Sequence, residues 1–197
     1  MSYLLSTLKN SYDTVQFDHA ISYDYKTFLE GGQIIDPKPA LHYYINKKKD
    51  IIKLQKSHLI LSTGPELVSA SFRKVIEQFS DDVDFFDVII KFEDQYIDGF
   101  FAMYVKNKIC CIDMDISEYK LTNFDPANPT YQFYYMVVKN EFLNGFNIVR
   151  CKEMPVKIVV SEKFKTACFN SKLSGIIFCS SLDMTYNNRT VCESINV

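Results

Sequence analysis

The chain has 197 residues, 47% of them hydrophobic and 15% aromatic, with 16 Phe, 13 Tyr and no Trp. That is enough apolar material for one packed domain and too much for a disordered chain. The formal net charge is −2, yet residues 77–125 hold 12 acidic against 4 basic side chains, a segment that repels nucleic acid and attracts basic surfaces.

Residues 1–56 are the least regular. A strand or short helix is expected at 3–8, a helical turn at 24–29, a Pro-punctuated loop through Pro37 and Pro39, and a strand at 41–45. MSYLLSTLKNSYD lacks a basic leader, so no secretion signal is expected. The six Cys are then expected to be free thiols in the cytoplasm, and the Asn188-Arg189-Thr190 sequon to be chance. Nowhere does a run approach the roughly 18 apolar residues of a membrane span. The basic run Lys47-Lys48-Lys49, with Lys53 and Lys56, reads as an exposed loop, since no aromatic residues interleave with it.

A strand–helix–strand phrase is written twice. The first copy opens with a strand at 59–61. Thr63 and Glu66 have capping-box spacing and Pro65 suits a first helical turn. Val68, Phe72, Val75, Ile76 and Phe79 then recur at helical spacing, and Ser80-Asp81-Asp82 ends the helix. In the next strand Phe86, Val88, Ile90 and Phe92 form the more apolar face. Glu93-Asp94-Gln95 marks a hairpin turn, 97–105 a returning strand and 109–114 a third, which together predict an antiparallel meander. After a loop at 123–130 come an aromatic strand at 131–138 and another at 146–151. The second copy runs through a strand at 156–160, a cap at Ser161, a helix striped by Phe164, Ala167 and Cys168, a turn at Ser174-Gly175, and a strand at 176–178.

Chemistry is sparse. His19, His42 and His58 lie in no metal motif. Cys110-Cys111 is not a zinc or redox motif, and Gly64 stands alone without a phosphate-loop signature. The sharpest polar cluster is CCIDMDISEY. Asp113 and Asp115, two residues apart, fall on one face of a strand, with Glu118 and Tyr119 close behind. This cluster suits a solvated strand end, a partner-contact patch, or a hard-metal site that still needs further oxygen ligands. The aromatic strand around Tyr131, Phe133, Tyr134 and Tyr135 suits sheet packing or an interface.

Three phrases carry a family resemblance: the strand–Ser–helix opening that leads to VDFFDVII, the CIDMDISEY segment, and NIVRCKEMPVKIVVSEKFKTACFNSKLSGIIF. Together they resemble the immunity proteins of bacterial polymorphic toxin systems, specifically immunity family 11, over about Leu59 to Phe178, with a fainter echo in GGQIIDPKPALHYYI. The resemblance implies a non-enzymatic cytoplasmic protein that binds and neutralises a cognate toxin domain encoded by the adjacent gene, with no cofactor, nucleic acid or membrane involved. An adaptor or chaperone for a secreted effector, and an enzyme with a carboxylate or thiol site, are the rival functions. The expected fold is α+β, a mixed or antiparallel sheet with two strand–helix–strand units and an irregular N-terminal arm. Its expected organisation is an arm at 1–56, an immunity-like domain at 57–184 and a polar tail at 185–197. Asp113, Asp115, Glu118 and Tyr119 are the expected partner-binding residues.

Overall fold

A computed structural model describes residues 1–7, 15–30, 39–122, 130–140, 143, 145–185 and 189–195. The expectations that fall on 31–38, on 123–129 and on Asn188 lie outside the described residues. In chain order the elements begin with β1 (Ser2–Thr7), β2 (Gln16–Phe17), α1 (Tyr25–Glu30), β3 (Leu41–Tyr44), α2 (Lys48–Gln55), β4 (Leu59–Ile60) and β5 (Leu67–Ser69). Next are α3 (Ala70–Glu77), β6 (Val83–Phe92), β7 (Gln95–Ile97), β8 (Phe100–Val105), β9 (Lys108–Ile109), β10 (Glu118–Thr122) and β11 (Thr130–Val137). The chain continues through β12 (Ile148–Cys151), β13 (Ile158–Ser161), α4 (Glu162–Asn170), β14 (Ile176–Asp183) and β15 (Val191–Ser194).

The fold is a mixed α+β arrangement of two sheets. One runs β10-β11-β14-β1-β13-β12-β9, with β15 also on β14; the other runs β2-β3-β6-β8-β5-β4, with β7 also on β6. In both sheets most pairs are antiparallel, with parallel pairing at β3–β6 and β9–β12. Helix α3 follows β5 and leads to β6, and α4 follows β13 and leads to β14. In each case one antiparallel strand lies between the two strands that the helix joins: β8 in the first, β1 in the second.

Period-two alternation explains the layers. Tyr3 and Leu5, Ile158 and Val160, and Ile176 and Phe178 face a core shared with Val68, Met103, Val105 and helices α3 and α4. At the alternate positions Leu4, Val159, Ile177 and Cys179 face a separate cluster with Phe133, Met136 and Val149. In the second sheet Ala102, Tyr104, Phe86 and Ile90 point the other way, onto Phe28 of α1 and Leu54 of α2. Strands buried on both faces read as unbroken apolar runs, such as YLL in β1 and IVV in β13. Within the central core Phe72 and Phe164, each three residues past a capping Ser, bring their rings to 5.9 Å.

Several expectations are corrected. The first 56 residues, expected to be irregular, supply β1 at the middle of the larger sheet, β2 and β3 in the other, and two helices. The first-copy helix starts at Ala70 and is capped by Ser69, whose Oγ accepts from Phe72 N at 3.2 Å. Thr63 instead accepts from Phe17 N at 2.8 Å, and Ser62 Oγ donates to Pro65 O at 2.8 Å, closing a turn between β4 and β5. Gly64 in this turn lies where any Cβ would collide with the Phe17 ring. The expected returning strand is interrupted at Gly99, whose φ of 90° is a left-handed value that glycine tolerates. The third meander strand does not join its neighbours: after β8 the chain crosses to the other sheet, where β9 pairs with β12. The stretch expected as a polar tail carries β15. There Cys192 stands opposite Cys179, Cα atoms 4.0 Å apart, and the two form a disulfide in place of two free thiols. Lys165 Nζ holds Glu193 of β15 at 3.0 Å, and Ile195 enters the central core.

Candidate partner interface

The segment after β9 is shaped by side chains that take over backbone hydrogen bonds. Glu153 accepts from Cys111 N at 3.0 Å and Ile112 N at 3.3 Å, and Ile112 bridges Val138. Beyond it Asp113 Oδ1 accepts from Asp115 N at 3.1 Å and Ile116 N at 3.3 Å, while Ser117 N donates to Asp113 O at 3.0 Å. An Asp that captures the amides two and three residues on makes a turn rather than a strand. Asp113 and Asp115 are therefore not on one strand face, as their spacing predicts; they sit on one turn. Ser117 Oγ accepts from Val137 N at 3.0 Å and fastens that turn to β11.

The chain then enters β10, which pairs antiparallel with β11 at the end of the larger sheet. Tyr119 packs its ring 5.4 Å from Tyr131 and 5.7 Å from Phe133. Phe133 is buried; the two tyrosines are exposed, along with Ile116 and Leu121. Glu118 is held by Arg189 through two hydrogen bonds of 2.5 and 3.0 Å, which keep its carboxyl below the ordinary carboxylate range. Arg189 also donates through Nε to Asp183 at 3.0 Å and lies 4.3 Å over the Tyr135 ring. Hydrogen bonds from Thr185 and Arg189 hold the Asp183 carboxyl well below its usual value. The structure thus brings together all four residues expected at an interface, on one turn and the strand that follows. Beside them it places Arg189, from the stretch expected as tail, and Asp183, at the end of β14.

The acidic segment does not converge on this one place. Glu77, Asp81, Asp82 and Asp84 cluster around the α3–β6 turn, where Arg73 pairs with Glu77 and Lys106 with Asp84. Glu93 and Asp94 occupy the β6–β7 turn. A groove of about 440 Å³ opens over β3, β6 and β7, where Ile21, Tyr44 and Tyr96 are exposed beside Asp18, Asp98 and Lys91.

Cys111 and Cys151 are free thiols side by side, and Cys151 Sγ donates to Glu153 Oε2 at 3.2 Å; a hydrogen bond with Cys111 and then burial raise the Cys151 pKa. A thiol so protonated is a poor nucleophile. Among the described residues no group of three or more His, Cys, Asp or Glu side chains is placed to hold a metal ion. No described helix is long and apolar enough to cross a membrane.

A family comparison matches residues 30–182 to the immunity protein family Imm11. That span includes the 113–119 turn and strand and stops short of β15 and Arg189. No curated protein matches the chain.

Proposed function

The chain belongs to the immunity protein family Imm11, and from that premise we propose that it binds a cognate bacterial toxin domain and neutralises it by stoichiometric occlusion. The family match over residues 30–182 is the observation that carries this reading. We place its action in the cytoplasm and its partner in the product of the adjacent gene. No catalytic role is assigned to any residue.

We assign the contact surface to Asp113, Asp115, Glu118 and Tyr119. The exposed carboxylate of Asp115 on the turn, with Asp113 beside it and Glu118 on the strand that follows, next to exposed aromatic rings, offers the two things a fast and tight inhibitor needs. Opposite charge speeds encounter, and rings supply contact area at low entropy cost. A toxin with a basic active-site cleft would be steered to it.

Co-expression with the adjacent gene's product is the test. Cell survival and a 1:1 complex with an inactive toxin are expected. A complex that leaves the toxin active would make the chain a carrier instead, and neither rescue nor binding would end the proposal. Asp115→Lys probes the surface most cleanly, because Asp115 is exposed whereas Asp113 builds the turn. The on-rate is expected to fall at least about tenfold at low salt; an unchanged on-rate and affinity would remove this patch from the interface.

A further inference from the structure

Strand β10 ends its sheet, so the outer row of its backbone N–H and C=O groups faces no strand among the described residues. Natural sheets shield such edges with charge, proline or a covering segment, because an open edge is a template for another chain. Shielding here is slight. A bulge lies between Glu118 and Tyr119, and Lys120 is the one charged residue within the pairing that follows. Flanking it, Tyr119 is 38% and Leu121 54% exposed, and Ile116 just before the strand is 60% exposed. Tyr119 and Leu121 share a face and stand opposite Phe133 and Tyr131, so an apolar shelf runs along the open edge.

We propose that β10 takes up an added strand from the toxin domain, a proposal that rests on the immunity reading above. Water meets these groups in the free chain, and among protein segments an extended one matches a row of strand amides and carbonyls. That segment carries apolar side chains at alternate positions, over Tyr119, Leu121 and Tyr131. It places a basic residue near Asp113 and Asp115. A second copy of this chain is the wrong occupant, since antiparallel self-pairing centred on the strand sets Lys120 against Lys120, and like charges directly opposite are destabilising.

Residue-resolved amide exchange on the full chain, alone and with the toxin domain, tests this, with complex formation read separately by calorimetry. In the complex, alternate amides of residues 118–122 should exchange at least about tenfold more slowly, as newly bonded strand amides do. Leu121→Lys should weaken binding about tenfold or more while leaving the melting temperature of the free chain in place. A complex in which no amide of 118–122 changes overturns strand addition and leaves the immunity reading standing. No complex overturns both. A dimer of the isolated chain that Leu121→Lys disperses overturns the proposal by giving the edge to self-pairing.

Discussion

His58 is half-buried, with Nδ1 2.6 Å from Ser69 Oγ and its carbonyl accepting from Ser69 N at 3.0 Å. From the sequence it is only a strand-opening residue; its link to Ser69, eleven positions on, needs the β4–β5 hairpin to exist. Burial lowers its pKa from 6.5. A group whose folded pKa is depressed favours the folded state above its unfolded pKa, and that advantage is lost as pH falls through the folded value. Stability should therefore decline as pH drops below 6.5, and His58→Gln should flatten the decline; urea titrations at several pH values would show it, and parallel profiles would refute it. The cysteines invite a simpler measurement. Cys110 is exposed while Cys111, Cys151 and Cys168 are buried, and burial pushes the Cys168 thiol up to about 12. Of these four, a thiol reagent should label Cys110 alone in the native chain, and the other three only on unfolding. Mass spectrometry after brief exposure would settle this, and labelling of Cys151 in the native chain would contradict it. CIDMDIS shows the limit of pattern reading at this scale. Alternation of Asp113 and Asp115 is what a strand would show, and only the hydrogen bonds of Asp113 reveal a turn.

Among the elements, those with a clear period were legible and those set by distant partners were not. Helix α4 begins at its predicted cap: Ser161 Oγ accepts from Phe164 N at 3.1 Å and donates to Asn147 Oδ1 at 2.9 Å. The long β6 strand buries its predicted face. The start of α3 was misplaced because two capping signals compete in sequence. Thr63 and Glu66 match the box, but Pro65 lies in a turn, and Glu66 is drawn away to Arg150. Val-Ser-x-x-Phe, at 68–72 and again at 160–164, is the pattern that marks both true helix starts. Ser69→Ala and Ser161→Ala should each cost about 1 kcal/mol, the usual worth of an N-cap. Thr63→Ala should leave α3 unchanged. Denaturation curves with helix-sensitive circular dichroism would separate these, and a loss of α3 in Thr63→Ala would restore the box. Strand β1 was hard to place for another reason. Four consecutive buried residues, Ser2 to Leu5, carry no alternation of burial, and pairing with 158–161 and 176–179 is invisible from position 2.

At the scale of the whole molecule, the two sheets are fastened where the chain crosses from β8 to β9. Arg150 of β12 is 1% exposed and reaches across to Glu66, just before β5 of the other sheet, Nη2 to Oε2 at 3.1 Å and Nη1 to Oε1 at 3.4 Å. It also donates to Pro155 O at 2.7 Å, and its backbone N bonds Asn107 O at 2.8 Å. Arg150, in the phrase that opens NIVRC, is thus a clasp within the fold, and Glu162 of the same phrase binds Tyr3 and Lys165. The last of the phrases that suggested the family is therefore tied to its architecture, while the proposed contact surface lies in another of them, CIDMDISEY. A buried ion pair seldom stabilises relative to apolar residues of the same volume, yet losing one partner strands the other without water. Glu66→Leu and Arg150→Met should each cost about 3–5 kcal/mol, and the double replacement should recover a large part of that loss. A double-mutant cycle by urea denaturation measures the coupling. If the pair is a clasp, the double variant is more stable than either single one and still binds the toxin, because neither residue belongs to the turn or to β10. Additive losses would mean that the two side chains act separately. A double variant that folds with restored stability yet no longer binds would move the contact surface from the 113–119 turn to the seam between the sheets.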